Sequence, residues 1–381
     1  MFMSAHLVLL GAGHAHIHVL KALAKARQKA TDAATPNAIV DARITVVSPY
    51  ASLAYSAMIP GWMAGHYNLA DCEIPVQPLA TAAKAQWVQS KVVSINRAKK
   101  TIALLDGQVL GYDFLSINTG PVANTESIAG AREHGILVRP LEQFIAQWET
   151  VCAQISNQAN AEKHAHIVVI GGGATGVEIA LAARHHFSRP GFHIGVTLIS
   201  GESPFSSAAE PLLAEALRVE GVSVMRGQRV TKLAAGVVHL EGGGEVSACY
   251  IIVASGTAAA PYLRASGLDC DAQGFARTNA EMQCTNDAAI FAVGDCASMA
   301  DAPYPKSGVY AVRAGAPLAA NLISAIQGAT LKSFRPTLSA RYLISTGAKH
   351  AIAINGESCF SGRWMWHWKN WIDHRFVRKH R

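Results

Sequence analysis

A doubly wound α/β fold, occurring twice in one chain, is what these 381 residues predict. Three observations carry that expectation. Two apolar runs lead straight into glycine turns, at Gly11–Gly13 and Gly171–Gly176. The helix-like stretch after each turn is followed by a β-branched strand, and a further strand ends in Gly294-Asp295. Short apolar runs alternating with helical periodicity are the mark of parallel βαβ units.

The first unit opens with His6–Leu10 and turns at Gly11 and Gly13. It continues through Val19, Leu20 and Leu23 at helical spacing and closes with Arg43–Ser48 (RITVVS). That context gives weight to a glycine motif that is weak alone. His14, His16 and His18 would share one face on a strand and could then bind a metal together. On a helix His14 and His18 are neighbours and His16 points almost oppositely, so no three-histidine site is expected. His16 stands where a third turn glycine would be. It should hold the helix slightly off its strand or push its imidazole towards the ligand, while His14 adds a hydrogen bond beside a pyrophosphate.

The second unit is cleaner. His166–Ile170 runs into Gly171, Gly173 and Gly176, which complete GxGxxG around Thr175, and Val196–Ser200 (VTLIS) closes it. The first glycine makes the turn, the second lets backbone approach a pyrophosphate, and the third lets helix and strand pack closely. The helix start then offers unpaired N–H groups to phosphate. Two such turns imply two dinucleotides, one resident and one exchangeable. Between them Val92–Ala103 and Tyr112–Asn118 read as strands, the latter running into Thr119-Gly120. Tyr250–Ala254 runs likewise into Ser255-Gly256. Ala289–Val293 ends in Gly294-Asp295, where an acid can reach a ribityl hydroxyl. Pro305–Ala311, with Lys306, opens a helix towards a flavin pyrimidine ring.

Bulk properties agree with a packed globular protein: half the residues are hydrophobic and 15% are charged. The net charge of +7 lies mostly in the tail, where Arg363, Lys369, Arg375, Arg378, Lys379 and Arg381 face only Asp373. No nucleic-acid module accompanies that charge. Seven scattered cysteines show neither CxxC nor zinc-ligand spacing, the pattern of reduced cytosolic thiols, and no metal site is expected. Met1–Leu10 lacks the features of a signal peptide, and the charge-free stretches Val246–Leu263 and Ala314–Leu331 do not read as membrane spans. The expected location is cytoplasmic, or peripheral on the inner face of a membrane.

On these turns and strands the chain resembles the two-dinucleotide-binding flavoproteins of the pyridine nucleotide–disulfide oxidoreductase superfamily, over about residues 5 to 330. Within that group it resembles the type II NADH dehydrogenases. It is closer still to the flavoprotein family found alone or fused ahead of selenophosphate synthetase. The subgroup markers are GAGHAHIHVL, YSAMIPG, PKSGVYAVRAG, LISTG and SGRWMWHWKNWID. The resemblance implies a discontinuous FAD-binding domain (1–122 and 283–332), an inserted NAD(P)H-binding domain (123–282) and a C-terminal segment (333–381). It implies FAD on Gly11, Gly13, His14, Ser48, Thr119, Gly120, Gly294 and Asp295, and NAD(P)H on Gly171, Gly173, Thr175, Gly176 and Gly256.

The departures matter equally. The redox-active cysteine pair of disulfide reductases is absent from Ser52–Gly61, so dithiol chemistry is not expected. Neither second strand ends in the usual ribose-binding acid. Ser48 ends the first. Ser200-Gly201-Glu202 ends the second, and Glu202 reaching the ribose would favour NADH over NADPH.

The reaction implied is hydride transfer from NADH or NADPH to FAD, then electron transfer to a quinone or other small acceptor. Glu178 is either the carboxylate that relatives hold near nicotinamide and flavin, or an acid stabilised by the helix dipole. Lys306 either places positive charge by the flavin or is a surface lysine. Tyr55 and Pro60 line the isoalloxazine pocket or belong to the core.

In the tail, Trp364, Met365, Trp368, Trp371, Ile372 and Phe376 fall on one helical face, with Arg363, His367, Asn370, His374 and Arg378 opposite. That face has three destinations: a membrane surface, the chain's own FAD domain, or a second subunit in a homodimer. Two other functions compete with the first. One is a sulfide- or selenium-linked oxidoreductase; the other is a low-turnover FAD-binding sensor or assembly protein.

Overall fold

A computed structural model describes residues 4–32, 37–158, 162–202, 205–337 and 341–381. Of the stretch inspected for a leader, residues 1–3 lie outside these.

Two parallel sheets carry the chain. In the first, His6–Leu10 lies in the middle, between Arg43–Val47 and Phe114–Ile117. Gln86–Val88 extends it on one side and Asp287–Ala292 on the other, all in parallel. Leu7, Val8, Leu9 and Leu10 are fully buried because helices or the other strands cover both faces. In the second sheet Lys163–Ile170 takes the middle, flanked by Phe192–Ser200 and Tyr250–Val253. Ser223–Arg226 and Ile136–Leu137 form its edges. Four strands wind alike in both, so each has its crevice beside the central strand, where order reverses; only Ile136–Leu137, which precedes its central strand, departs from this.

The chain is not colinear with these sheets. The second draws on residues 136–253, whereas the first collects 6–117 and then returns at Ala276–Thr278 for its remaining strands.

Each parallel sheet carries a small antiparallel meander: Val92–Asn96, Thr101–Leu104 and Val109–Gly111 in one, Val230–Ala234, Val237–Leu240 and Glu245–Ser247 in the other. The single strand expected over Val92–Ala103 is therefore a hairpin. It breaks at Arg97–Lys100, where Lys100 adopts φ +49°.

The apolar stretch within Ala314–Leu331 falls mostly in the Gly308–Ile326 helix. By length and composition this is the one described helix able to cross a membrane. It packs instead beside the His14–Asp32 helix, burying Ala314, Leu318, Ala319 and Leu322. Gly315 permits that approach, since a Cβ there would lie 2.7 Å from the His18 ring.

A C-terminal antiparallel sheet (Tyr342–Ser345, Ala351–Asn355, Ser358–Gly362) leads into a final helix, Arg363–His380. That helix lies against the Leu69–Cys72 turn and the sheet before it.

Candidate active site

The carboxyl ends of the first sheet open on a cavity of about 1020 Å3. Each strand delivers one part of its wall. Gly11, Gly13 and His14 follow the central strand, Ser48 the second, Gln89 the third, Thr119 and Gly120 the fourth, and Asp295 the fifth. This is the crevice where open α/β sheets bind ligands, at the upper end of pocket sizes. Two atoms around it lack partners: Asp295 Oδ1 and His14 Nε2 are buried without a hydrogen bond. Burial raises the Asp295 carboxyl above the usual range, against the pull of Arg139 and Lys306. Burial, then Arg139, His18 and His380, push the His14 imidazole down to about 4. A bound hydroxyl group would relieve the Asp295 oxygen, so the wall fits a dinucleotide carrying a polyol chain.

Asn118 organises the first turn. Its Oδ1 accepts from the N–H groups of Ala15 (3.1 Å) and His16 (3.4 Å), and its Nδ2 donates to the Val293 carbonyl at 3.0 Å. Gly13 is required there, since a Cβ would sit 2.3 Å from Asn118 Oδ1. Gly294, at φ +71°, passes behind, where a Cβ would sit 2.8 Å from Asn118 Nδ2.

The His16 expectation needs correcting. Its ring is fully buried and turns inward, away from the cavity. Nδ1 donates to the Gly11 carbonyl at 2.5 Å and Nε2 accepts from the Ser116 hydroxyl at 2.8 Å. A buried imidazole is stable only where both nitrogens are satisfied, and here they are. Burial holds the ring neutral, its pKa pushed down to about 4 although the Gly11 bond opposes this.

The second turn is barer. A Cβ on Gly171 would meet the Ala254 carbonyl at 2.3 Å, and one on Gly176 the Gly171 carbonyl at 1.8 Å. Gly173 faces open space. Thr175 is exposed on the first turn of the Ala174–His186 helix, Glu202 is exposed after the second strand, and Gly256 adopts φ +103°.

Three further residues expected at the flavin are not part of the cavity wall. Lys306 donates to the Ala297 carbonyl and lies 4.3 Å from the centre of the Phe275 ring, while its charge still acts on Asp295. Pro60 is buried at the start of the Ile59–Met63 helix, and Tyr55 stacks on Phe376 at 4.6 Å. Neither belongs to the cavity wall.

Glu178 is half-buried. Its Oε1 accepts from the Ser345 N–H at 2.8 Å, joining the second nucleotide unit to the C-terminal sheet. Burial pushes its carboxyl up to about 7, against Lys369 and the Ser345 bond and with Asp373 adding to the rise.

The final helix also corrects the sequence reading. Its inner face is Met365, Trp366, Lys369, Asp373, Val377 and His380, whereas Trp364, Trp371 and Trp368 are 60%, 56% and 39% exposed. The phase is set by an ion pair: Lys369 Nζ lies 2.7 Å from Asp373 Oδ2, with both residues buried. Lys369 also donates to the Ala57 carbonyl, and the Asp373 charge, after burial, raises the Tyr55 phenol. Paired charges went inward and three of the helix's four tryptophans outward, which hydrophobicity alone does not anticipate.

Asn118, Lys369, Asp373 and Ser345 are thus site residues that sequence reasoning missed. Only the i, i+4 spacing of Lys369 and Asp373 in a helix otherwise poor in acids signalled them. Among the described residues no group of three or more ligating side chains could hold a metal ion.

Two nucleotide-type turns, one cavity at a switch point and an unpartnered acid beside it define a two-dinucleotide oxidoreductase. The pattern of the pyridine nucleotide-disulphide oxidoreductase family matches residues 5–315, and the chain belongs to that family. It is an FAD-dependent oxidoreductase that uses a pyridine nucleotide.

Among its relatives, ferroptosis suppressor protein 1 of Taeniopygia guttata is 25% identical over 285 residues, 70% of this chain and 71% of that one. The type II NADH:quinone oxidoreductase of Haemophilus influenzae is 24% identical over 292 residues, covering 65% and 66%. The structure of NDH2 from Plasmodium falciparum in complex with NADH superposes with a TM-score of 0.79. It is 14% identical and covers 98% of each chain.

Proposed function

We propose that this chain carries reducing equivalents from NAD(P)H through FAD to a quinone-like acceptor, without a redox-active dithiol, at a membrane surface. The carrying observation is Glu178: a carboxyl pushed up to about 7 by burial, on the first turns of the Ala174–His186 helix, bonded to Ser345 and acted on by the charge of a buried lysine of the tail. Bound FAD supplies the two-electron chemistry. Around it, Gly11 and Gly13 leave room for the pyrophosphate and Asp295 holds the ribityl chain. Gly171, Gly173 and Gly176 seat the nicotinamide nucleotide, and Glu202 on its ribose favours NADH. This assigns residues 1–122 and 283–332 to FAD, 123–282 to the nucleotide and 333–381 to the acceptor side.

A quinone that takes up electrons also takes up protons, and a carboxyl near 7 exists in both forms at neutral pH. Oε1 of Glu178 is committed to Ser345, so Oε2 holds the transferable proton. The Haemophilus relative's name specifies a quinone acceptor, which supports this reading.

No cysteine belongs to the cavity wall. The nearby Cys296 thiol donates to the Ile117 and Val293 carbonyls, and burial pushes it up to about 11, so it stays protonated and unreactive. The exposed Trp364, Trp368 and Trp371, with Arg363, Arg375 and Arg378, suit an anionic interface better than a protein core.

Stopped-flow reduction with NADH and NADPH, followed by a soluble quinone, tests the reaction. Rapid bleaching by a nucleotide and recolouring by quinone is expected; bleaching by neither nucleotide overturns it. Sedimentation with anionic liposomes tests the surface, and binding that survives replacement of all three tryptophans by serine would refute it.

A further inference from the structure

The tail helix brings a second carboxyl to the Glu178 neighbourhood, and the single lysine between them has made a choice. Lys369 ion-pairs with Asp373 at 2.7 Å, four residues on along the same helix, and caps the Ala57 carbonyl at 2.5 Å. Glu178 receives a backbone N–H from Ser345 instead. One cation and two carboxyls whose charges act on one another carry one negative charge too many. The carboxyl outside the ion pair is the one that protonates. Asp373 is the carboxyl that the ammonium has taken, through a direct bond to Oδ2.

We propose that Asp373 is a positioning residue: it ties the Lys369 ammonium to the tail helix and so keeps Glu178 a protonatable carboxyl rather than a salt-bridged carboxylate. The inference rests on the reading of Glu178 as the proton carrier. The step it serves is a proton transfer alone. The O–H bond at Glu178 Oε2 breaks, an O–H bond forms on the acceptor, and solvent restores the proton; the electrons arrive with the pyridine nucleotide. Glu178 is the other carboxyl whose charge acts on Lys369, so without Asp373 the ammonium is left to Glu178 and favours its carboxylate. Burial lowers and the two carboxyls raise the lysine, with a net rise, so it remains a cation throughout.

The test is the pH profile of quinone reduction by the flavin-loaded full-length protein. Wild type should lose activity as pH rises through the Glu178 value, and E178Q should abolish that limb. D373N should move the limb at least one unit towards acid, which is about a tenfold loss on the alkaline side and little loss at pH 5.5. The double variant K369M/D373N should move it back, a reversal that merely loosening the tail would not produce.

Persistence of the limb in E178Q overturns the proton-carrier reading itself. A limb abolished by E178Q but unmoved by D373N overturns the role of Asp373 alone. Should D373N fail to retain flavin, K369M decides: losing the cation must shift the limb towards alkali, and no shift or an acid shift refutes the proposal.

Discussion

The two glycine turns stand at equivalent places in two sheets that share the winding of four strands, yet they are built by opposite means. At the second, Gly176 brings helix and turn so close that a methyl group would overlap the Gly171 carbonyl, and Gly173 looks onto open space. At the first, the space is filled: His16 bridges the Gly11 carbonyl and Ser116, while Asn118 caps the helix start and crowds Gly13. A nucleotide turn can therefore be closed by absence of side chain or by a polar side chain that replaces what absence provides. The crowded turn suits a cofactor that stays, and the bare one suits a cofactor that comes and goes.

The largest way to break this contrast is Gly176→Ala. With a contact of 1.8 Å onto backbone, roughly 3 kcal/mol or more should be lost and the melting temperature should fall by several degrees. A near-normal melt would mean the second turn is not closely packed.

Next comes His16→Gly, which restores the ordinary motif to the first turn. It should destabilise by roughly 2–3 kcal/mol, because the Ser116 hydroxyl and Gly11 carbonyl lose their partner and a ring-sized void remains. A gain in denaturant midpoint would refute the bridging role. Asn118→Ala should cost about 1–2 kcal/mol and lower flavin content, leaving affinity for the pyridine nucleotide intact. Gly173→Ala should barely change the melt, within about 0.5 kcal/mol, yet weaken nucleotide binding at constant flavin content. Titration of the flavin-loaded variant with NADH checks it.

Acid is the gentlest perturbation and again separates the turns. His14 and His18, both pushed down to about 4 by burial first, meet Phe376 and His380 of the tail. The charges that bear on them, Arg139, Lys21 and Lys379, are all cationic. Because the docked rings bind fewer protons than free ones, the tail contact is fully present above 6.5 and is lost as pH falls from there towards 4. Tryptophan fluorescence should report release over that window without a change at the second turn. A signal flat down to pH 4 would contradict it.

Most of the architecture was legible, because each parallel strand is an apolar run and each turn glycine answers a backbone demand that only glycine meets, as at Gly11 and Gly171 with φ +82° and +121°. Asn118 was not legible: an asparagine after a strand carries no mark of the helix it will cap across the sheet. Nor was the aim of Lys306, whose flexible stem reaches the Ala297 carbonyl as readily as the cavity. The tail misled because tryptophans dominate any estimate of an apolar face, whereas Lys369 and Asp373 enter the interior as a neutral pair. Glu178 was noticed, but its partner Ser345 is separated from it by most of the nucleotide unit.

The split origin of the first sheet has a consequence for biogenesis. Its strand Asp287–Ala292 pairs with Phe114–Ile117, so that edge stays open until the ribosome has delivered just over three-quarters of the chain. The second sheet, drawn from 136–253 alone, is complete in sequence before then and is free to close first. A newly made chain therefore holds a finished nucleotide unit beside an unfinished flavin unit with an exposed strand edge. Before that edge is sealed the cavity has Gly11 and Asn118 but lacks Asp295, so its wall is complete only late in synthesis.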